Sequence, residues 1–554
     1  MLCTGVVLAL SALLLLWVGV SAAMLAGSLL VQAVWTFGAA QLLVPVRRYI
    51  PDPVQFHVLA YAAGLALTGI GGLAFMHRAL LGETPVLAAL ATMTPLAGLA
   101  IWRLARWHKA VTGFEPIRWP RVAALLAASC IVAAMTAYGF ANNDENIRIN
   151  STEWLERSDI VPEWAYQSDR LAHYTRNTQT LFEEGLPPRR VNHRAFHSVI
   201  MVTTVLTGPM SAAAAFSAAK ILAIFVYFTL SYSLFGIAGR VFGMGVRTAT
   251  LIGASTLIFS PLKLPLFALT PTYRGFLSAS GTMYHSDTQL FSMAVAAAGL
   301  FATLIAFREK RSTLTLGALL IGASFFFKPP SYMALAPAIL GAILFQYREF
   351  DRDRLLGAIS VLAIPWIWFT YLSLTAGSSP MDNLVPVAGT DAATSNLTLQ
   401  FHPFQGYQRW LTDRFPDWVY AIPGGQYAGM VGLSCAAFWV AWARAAEHPL
   451  IAIRSGAPAL RDHLAANAHI YLMVGAFVFA ILIAIMLAGP PGSMDINWKW
   501  PAAASFVLCL PVFAAAIAAI PNTVVRHVSW GLYAAQCLQG LGYLAYFFWT
   551  SRLS

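Results

Sequence analysis

Residues 122–162 read VAALLAASCIVAAMTAYGFANNDENIRINSTEWLERSDIVP. The first half is an almost uninterrupted apolar run, and a run of about 20 such residues crosses a bilayer as a helix. Asp144 and Glu145 follow where that helix ends. Beyond them Ile147, Ser151, Trp154 and Leu155 recur at helical spacing, which predicts an amphipathic helix lying on the membrane face.

Runs like the first half recur along all 554 residues. The chain is 58% hydrophobic and 11% charged, with a mean hydropathy of +0.64. A soluble domain carries about 25% charged residues to cover its surface, so this composition predicts a polytopic membrane protein. The first run, from Leu2 to about Val44, is too long for a cleavable signal peptide and lacks a basic leader, so it reads as two retained helices joined near Gly27-Ser28. The net charge of +11 does not point to nucleic acid, because the basic residues cluster in short loops beside apolar helices. The five cysteines lie in or beside apolar runs without metal-ligand spacing and read as buried thiols.

The most basic loop, RLARWHKAVTGFEPIRWPR at 103–121, fixes the expected orientation with its face in the cytoplasm. Counting from it places Arg47-Arg48, Arg240 and Arg247, REKR (308–311), REFDRDR (348–354), the stretch Arg444 to Arg461, and Arg526 on that same side. The fold class expected is all-α, with about fifteen transmembrane helices near 2–22, 24–45, 55–76, 86–102, 122–141, 211–235, 248–268, 288–307, 313–328, 331–347, 355–375, 423–443, 467–489, 501–520 and 528–549. Long outer loops then fall at 142–210, 269–287 and 376–422. Loops of that length are uncommon unless they serve a function.

The Asp-Glu pair has two readings. Asn143 or Asp144 caps the following helix, satisfying its orphan N–H groups; or the pair does chemistry. Two further stretches bear on the second. In GTMYHSDTQ (281–289), Asp287 sits at the outer mouth of another crossing with His285 two residues before it. In SFFFKPPSY (324–332), Lys328 lies between three Phe and two Pro. A cation ending an apolar helix on the outer side runs against the positive-inside trend, so it either snorkels to headgroups or meets an anionic partner.

These motifs resemble the GT-C glycosyltransferases, in the branch of protein O-mannosyltransferases and lipid A aminoarabinose transferases. DENIRINSTEWLERSDIVP is similar to the branch's first outer-loop motif: an Asp-Glu after a transmembrane helix, an amphipathic helix, and an acidic-apolar-Pro exit at Asp159-Ile160-Val161-Pro162. The Asp of HSDTQ is similar to a later acidic residue at a helix start, and FFFKPPSYMALAPAIL resembles a Lys-containing break between two short helices. The resemblance covers about 122–350. It divides the chain into four additional N-terminal helices (1–121), a GT-C-like catalytic core with extracytoplasmic amphipathic helices (122–350, with outer loop 142–210), and a C-terminal region (351–554, with outer loop 376–422). The branch's late Lys-Pro-Pro is replaced by NHRAFHS (192–198), which offers Arg194, His193 and His197.

The resemblance implies transfer of a sugar from a polyprenyl-phosphate donor to a lipid, glycan or protein acceptor at the outer face of a plasma (inner) membrane. An acceptor hydroxyl must lose its proton as it attacks the anomeric carbon, and a placed carboxylate serves as base. Asp144 is the candidate base or metal ligand, Glu145 its alternate, and Asp287 the second carboxylate. Arg194, Lys328, Arg274 and His285 would face the donor phosphate. Mg²⁺ or Mn²⁺ held between Asp144 and Asp287 would relieve their repulsion and bind phosphate oxygens. One base acting with displacement from one face predicts inversion at the anomeric carbon. Two rival functions share the lipid-linked substrate. An oligosaccharide polymerase or ligase would use His402, Arg409 and Arg414 of the late outer loop. A transporter would need ionisable groups at mid-membrane, where Lys220 stands alone and reads as snorkelling.

Overall fold

The computed structural model describes residues 20–76, 85–106, 112–141, 194–207, 212–259, 287–310, 312–345, 352–376, 400–401, 453–488 and 500–553. Helices carry nearly all of them. In chain order these are α1 (Ala22–Leu42), α2 (Pro53–Met76), α3 (Pro85–Ala105), α4 (Trp119–Ala141), α5 (Arg194–Thr207), α6 (Ala212–Gly236), α7 (Val246–Ser255), α8 (Asp287–Glu309), α9 (Leu314–Phe327), α10 (Pro329–Phe345), α11 (Arg352–Ala376), α12 (Ala457–Ala466), α13 (Ala468–Met486), α14 (Trp500–Leu508), α15 (Leu510–Ala519) and α16 (Thr523–Leu553). Gln400–Phe401 and Leu487–Ala488 pair antiparallel as a minimal two-stranded ribbon.

Among the described residues six helices are long and apolar enough to cross a membrane, or eight if each of two bent pairs counts as one span. Large apolar side chains point outward, including Leu30, Ile101, Leu251, Leu344, Trp366 and Val524. Water would not tolerate that surface, whereas hydrocarbon does. At the centre, α8 is buried without a break from Thr288 to Phe307, and α6 nearly so. Small residues permit this closeness. A Cβ built on Gly317 of α9 would lie 2.7 Å from the Gly299 carbonyl oxygen of α8, so the two backbones touch as close-packed membrane helices do.

Five of the loops that charge alone assigns to one side meet at one end of the bundle. Asp52 caps α2, its Oδ1 accepting from the Val54 and Gln55 N–H groups. Its Oδ2 accepts from Arg121 at the start of α4 and from the Tyr232 hydroxyl of α6. The Glu115 N–H donates to the Pro51 carbonyl, and the Arg47 guanidinium donates to the Thr112 carbonyl. A π-helical turn, Ile237–Val241, extends α6 and aims Arg240 at Glu309 in a two-pronged pair (2.6 and 2.8 Å) and at the Tyr49 carbonyl. Asp353, at the start of α11, caps α9 by accepting from the Leu314 and Thr315 N–H groups. This is the basic end; the opposite end is called the far end below.

Four details depart from the sequence reading. α1 runs unbroken through Gly27 and Ser28; its start is Ser21, whose Oγ accepts from the Met24 N–H. Gly27 is there for a close approach, since a Cβ on it would meet the Thr207 side chain. The expected crossing 248–268 yields a ten-residue helix, α7, followed by a turn through Ile258. The expected crossing 501–520 bends by 51° between α14 and α15, with Cys509 at the joint and Pro511 at the start of the second helix. Lastly, α5 lies inside the stretch read as an outer loop. Its first turn meets Gly69 of α2 and its last turn meets Gly27 of α1. Gly27 stands 15 residues and Gly69 16 residues, about 22 and 24 Å of helix rise, from the basic ends of their helices. α5 therefore lies across the bundle, and its residues from Ala195 to Thr204 are buried wherever their side chains are described.

Candidate active site

The helical pattern stops at Lys328 for a local reason. Two prolines follow it, and a residue preceding proline is driven out of the helical region. Lys328 is extended (φ −165°, ψ 130°), while its N–H still closes the last turn of α9 onto the Ser324 carbonyl. The chain then reverses. Asp353 holds the start of α11 against the start of α9, and the Tyr332 hydroxyl, four residues past Lys328, donates to the Val361 carbonyl, eight residues past Asp353 in α11. Val361 is about 12 Å above the basic end by helix rise, and Lys328 about 21 Å above it. A chain continuing upward would carry Tyr332 out of reach, so α9 and α10 form a hairpin. Its tip stops short of the roughly 30 Å that a full crossing requires.

α8 repairs the broken backbone at this tip. The Ser292 Oγ donates to the Lys328 carbonyl (2.7 Å), with the Ser324 carbonyl and the Ser331 Oγ both within reach at 3.1 Å. Gln289 Nε2 donates to the Ser331 Oγ at 3.3 Å, and its buried Oε1 has no partner among the described residues. Broken helices persist at membrane depth only where neighbouring hydroxyls and amides satisfy the freed groups in this way.

Three predicted site positions are brought to this locus. A Cβ on Gly69 would lie 3.1 Å both from the Ala195 Cβ and from the Phe327 ring, so the start of α5 and the end of α9 share one spot on α2. The Phe196 and Phe291 rings meet edge-on at 5.0 Å, and Phe291 lies 6.2 Å from Phe327. Arg194 stands two residues before Phe196, Asp287 one turn before Phe291, and Lys328 next to Phe327. The N-termini of α5, α8 and α10 thus converge, and each carries the positive end of a helix dipole. The Lys328 side chain is 6% exposed, which is burial within protein and not a head snorkelling to lipid headgroups. The side chains of Arg194 and Asp287 are outside the described residues, although the helices that begin with them are described.

Asp144, Glu145, Arg274 and His285 lie outside the described residues. α4 nonetheless runs from Arg121 at the basic end to Ala141, so it delivers the chain to the far end three residues before Asp144. Among the described residues no group of three or more His, Cys, Asp or Glu could hold a metal ion. The expected metal ligands, Asp144 and Asp287, have side chains outside the described residues.

Sequence reasoning passed over two features. Lys220 of α6, read as snorkelling, is 1% exposed and fully enclosed, twelve residues before Tyr232 and hence about 18 Å above it. Lys220 and Lys328 are therefore two buried lysines at similar depth. Asp52 is the hub of the basic end, and its signal was present: Asp before Pro ahead of an apolar run is a helix start. Its partners Arg121 and Tyr232 are 69 and 180 residues away, and no local pattern announces them.

Fold and surface together define a polytopic all-α membrane protein whose central helices enclose a short hairpin. No family model matches the chain, and no curated protein or solved structure matches it significantly.

Proposed function

We propose that the chain is a membrane glycosyltransferase that moves a sugar from a polyprenyl-phosphate donor to an acceptor at the extracytoplasmic face, with the basic end in the cytoplasm. One structural observation carries the reading: the helix N-termini that begin at Arg194, at Asp287 and just after Lys328 meet in the far half of the bundle. Helix N-termini and a buried lysine favour an anion, and a donor's phosphate is the anion such a reaction releases. Of the three motifs resembling GT-C enzymes, the described parts, Asp287–Gln289 at the start of α8 and the α9–α10 tip around Lys328, fall on the same half, and α4 ends at Ala141, three residues before Asp144. In this reading Asp144, or Glu145 in its place, removes the acceptor proton, while Lys328, Arg194, Arg274 and His285 oppose the charge on the leaving phosphate. A divalent cation, Mg²⁺ or Mn²⁺, fits the oxygen chemistry of Asp144 and Asp287 and would neutralise phosphate charge when bound.

The test is transfer of a labelled sugar from a purified polyprenyl-phosphate donor by wild-type protein and by Asp144→Asn. Asn caps a helix about as well as Asp, so this variant keeps any capping role and removes the base. Transfer should fall by roughly 10²–10⁴-fold with the thermal unfolding midpoint unchanged. Near-normal transfer by the variant would reduce the acidic pair to a helix cap. Chelation should lower transfer, with Mg²⁺ or Mn²⁺ restoring it; full activity after exhaustive chelation would leave the basic residues as the phosphate's only partners.

A second reading, a transporter of lipid-linked saccharide, is favoured by one observation. Buried Lys220 and Lys328 at membrane depth, the latter at a helix break, are features that transport sites also use. It predicts donor translocation in proteoliposomes without sugar transfer.

A further inference from the structure

Arg103 is the second-last residue but one of α3, at the basic end, and only 2% exposed. Among the described residues its Nη1 makes one long hydrogen bond, to the Ala40 carbonyl (3.4 Å), and its buried Nε has no partner. The ion pairs among the described residues, Arg121 with Asp52 and Arg240 with Glu309, leave Arg103 out. Asp52, the hub carboxylate of this end, is already engaged by Arg121, Tyr232 and two N–H groups. A buried guanidinium without an anion is costly, so its neighbourhood is informative.

That neighbourhood adds positive charge. Arg103 lies over the Phe56 ring (5.5 Å) and Arg47 over the Phe114 ring (4.1 Å), and those two rings are 5.4 Å apart. Arg106, one turn beyond Arg103, is exposed and stacks on Trp102 at 4.0 Å. The rim is apolar and outward-facing: Trp102, Leu104, Leu42 and Val44 are all exposed. Arginines gathered at a helix end beside exposed tryptophan and leucine match a phosphate at headgroup level with acyl chains running alongside.

We propose that residues 44–49 and the end of α3 together bind the phosphodiester of an anionic phospholipid, held by Arg47, Arg103 and Arg106. The apolar rim selects a lipid over free phosphate. This site is at the opposite end from the candidate active site and does not depend on the glycosyltransferase reading.

The experiment uses full-length protein in phosphatidylcholine nanodiscs with and without phosphatidylglycerol, read by lipid retention in native mass spectrometry and by unfolding midpoint. Phosphatidylglycerol should be retained preferentially and raise the midpoint. Arg103→Gln should weaken retention by about tenfold or more, as loss of a charge-assisted hydrogen bond does. In phosphatidylcholine alone the same variant should unfold no earlier than wild type, because it removes a buried charge that lacks an anion there. If Arg103→Gln fails to fold, Arg47→Gln, on the turn between helices, carries the same retention test. Equal retention of the two lipids, or retention unaffected by either variant, overturns the proposal. A midpoint rise with inorganic phosphate matching that with phosphatidylglycerol overturns the lipid assignment in favour of a free anion.

Discussion

At the basic end Asp52 draws four hydrogen bonds from α2, α4 and α6, and Arg240 grips Glu309 with two nitrogens. At the far half Lys328 ends a helix that stops inside the bundle, and the backbone it interrupts is held by Ser292 of a neighbouring helix. Both regions bury polar groups, but they do so differently. The basic end pairs Asp52 with Arg121 and Glu309 with Arg240, ties that join loops across long sequence separations, while Arg103 there has no carboxylate partner among the described residues. The far half collects helix N-termini and a buried lysine around one spot, an arrangement that favours a bound anion more than it strengthens the bundle. Under the proposed function, stability and chemistry would lie at opposite ends of the same helices.

The comparison breaks most visibly in topology. With cysteine in place of Thr112, which is exposed at the basic end, an impermeant maleimide should label only after the cells are opened; cysteine in place of Arg170 should label on intact cells. The reverse pattern would put the acidic stretch in the cytoplasm and remove the lipid-linked donor with it. Next in size is Lys328→Met, which should cut transfer roughly 100-fold, the usual cost of losing one group that stabilises developing negative charge. Measured on the same preparations, Asp52→Asn should leave transfer intact and lower stability by about 1.5–3 kcal/mol in denaturant titration, because Asn keeps the helix cap and loses the hydrogen bonds that depend on charge. If Asp52→Asn abolished transfer while Lys328→Met merely loosened the bundle, the two ends would have been assigned the wrong way round.

Much of the scaffold was legible in the chain. Apolar runs located most of the described helices to within a few residues, missing α5 and α12 and overrunning the end of α7, and the Pro-Pro after Lys328 announced the break between α9 and α10. Clustered arginines anticipated that the loops at 47–48, 103–121, 240, 308–311 and 348–354 would share one side, and described residues from each of these regions meet there. What escaped was tertiary. α5 is too short to register as a crossing, and nothing in its composition tells that it lies across α1 and α2 with its described residues from Ala195 to Thr204 buried. The reversal at Lys328 is fixed by Tyr332 reaching Val361, a contact between separate helices. Lys220 looked like a snorkelling cation because burial by neighbouring helices leaves no trace in a linear apolar run. Of the candidate site, the sequence supplied the residue types, and the structure supplied the meeting of three helix ends.

The most direct test of that meeting is photolabelling with a photoactivatable polyprenyl phosphate, in bilayers containing excess phosphatidylglycerol to occupy the basic end. Crosslinked peptides should come from the start of α8 and from the α9–α10 tip, and labelling there should fall in Lys328→Met. Crosslinks confined to residues 44–57 and 103–121, or spread evenly over the lipid-facing helices, would contradict a donor site in the far half of the bundle.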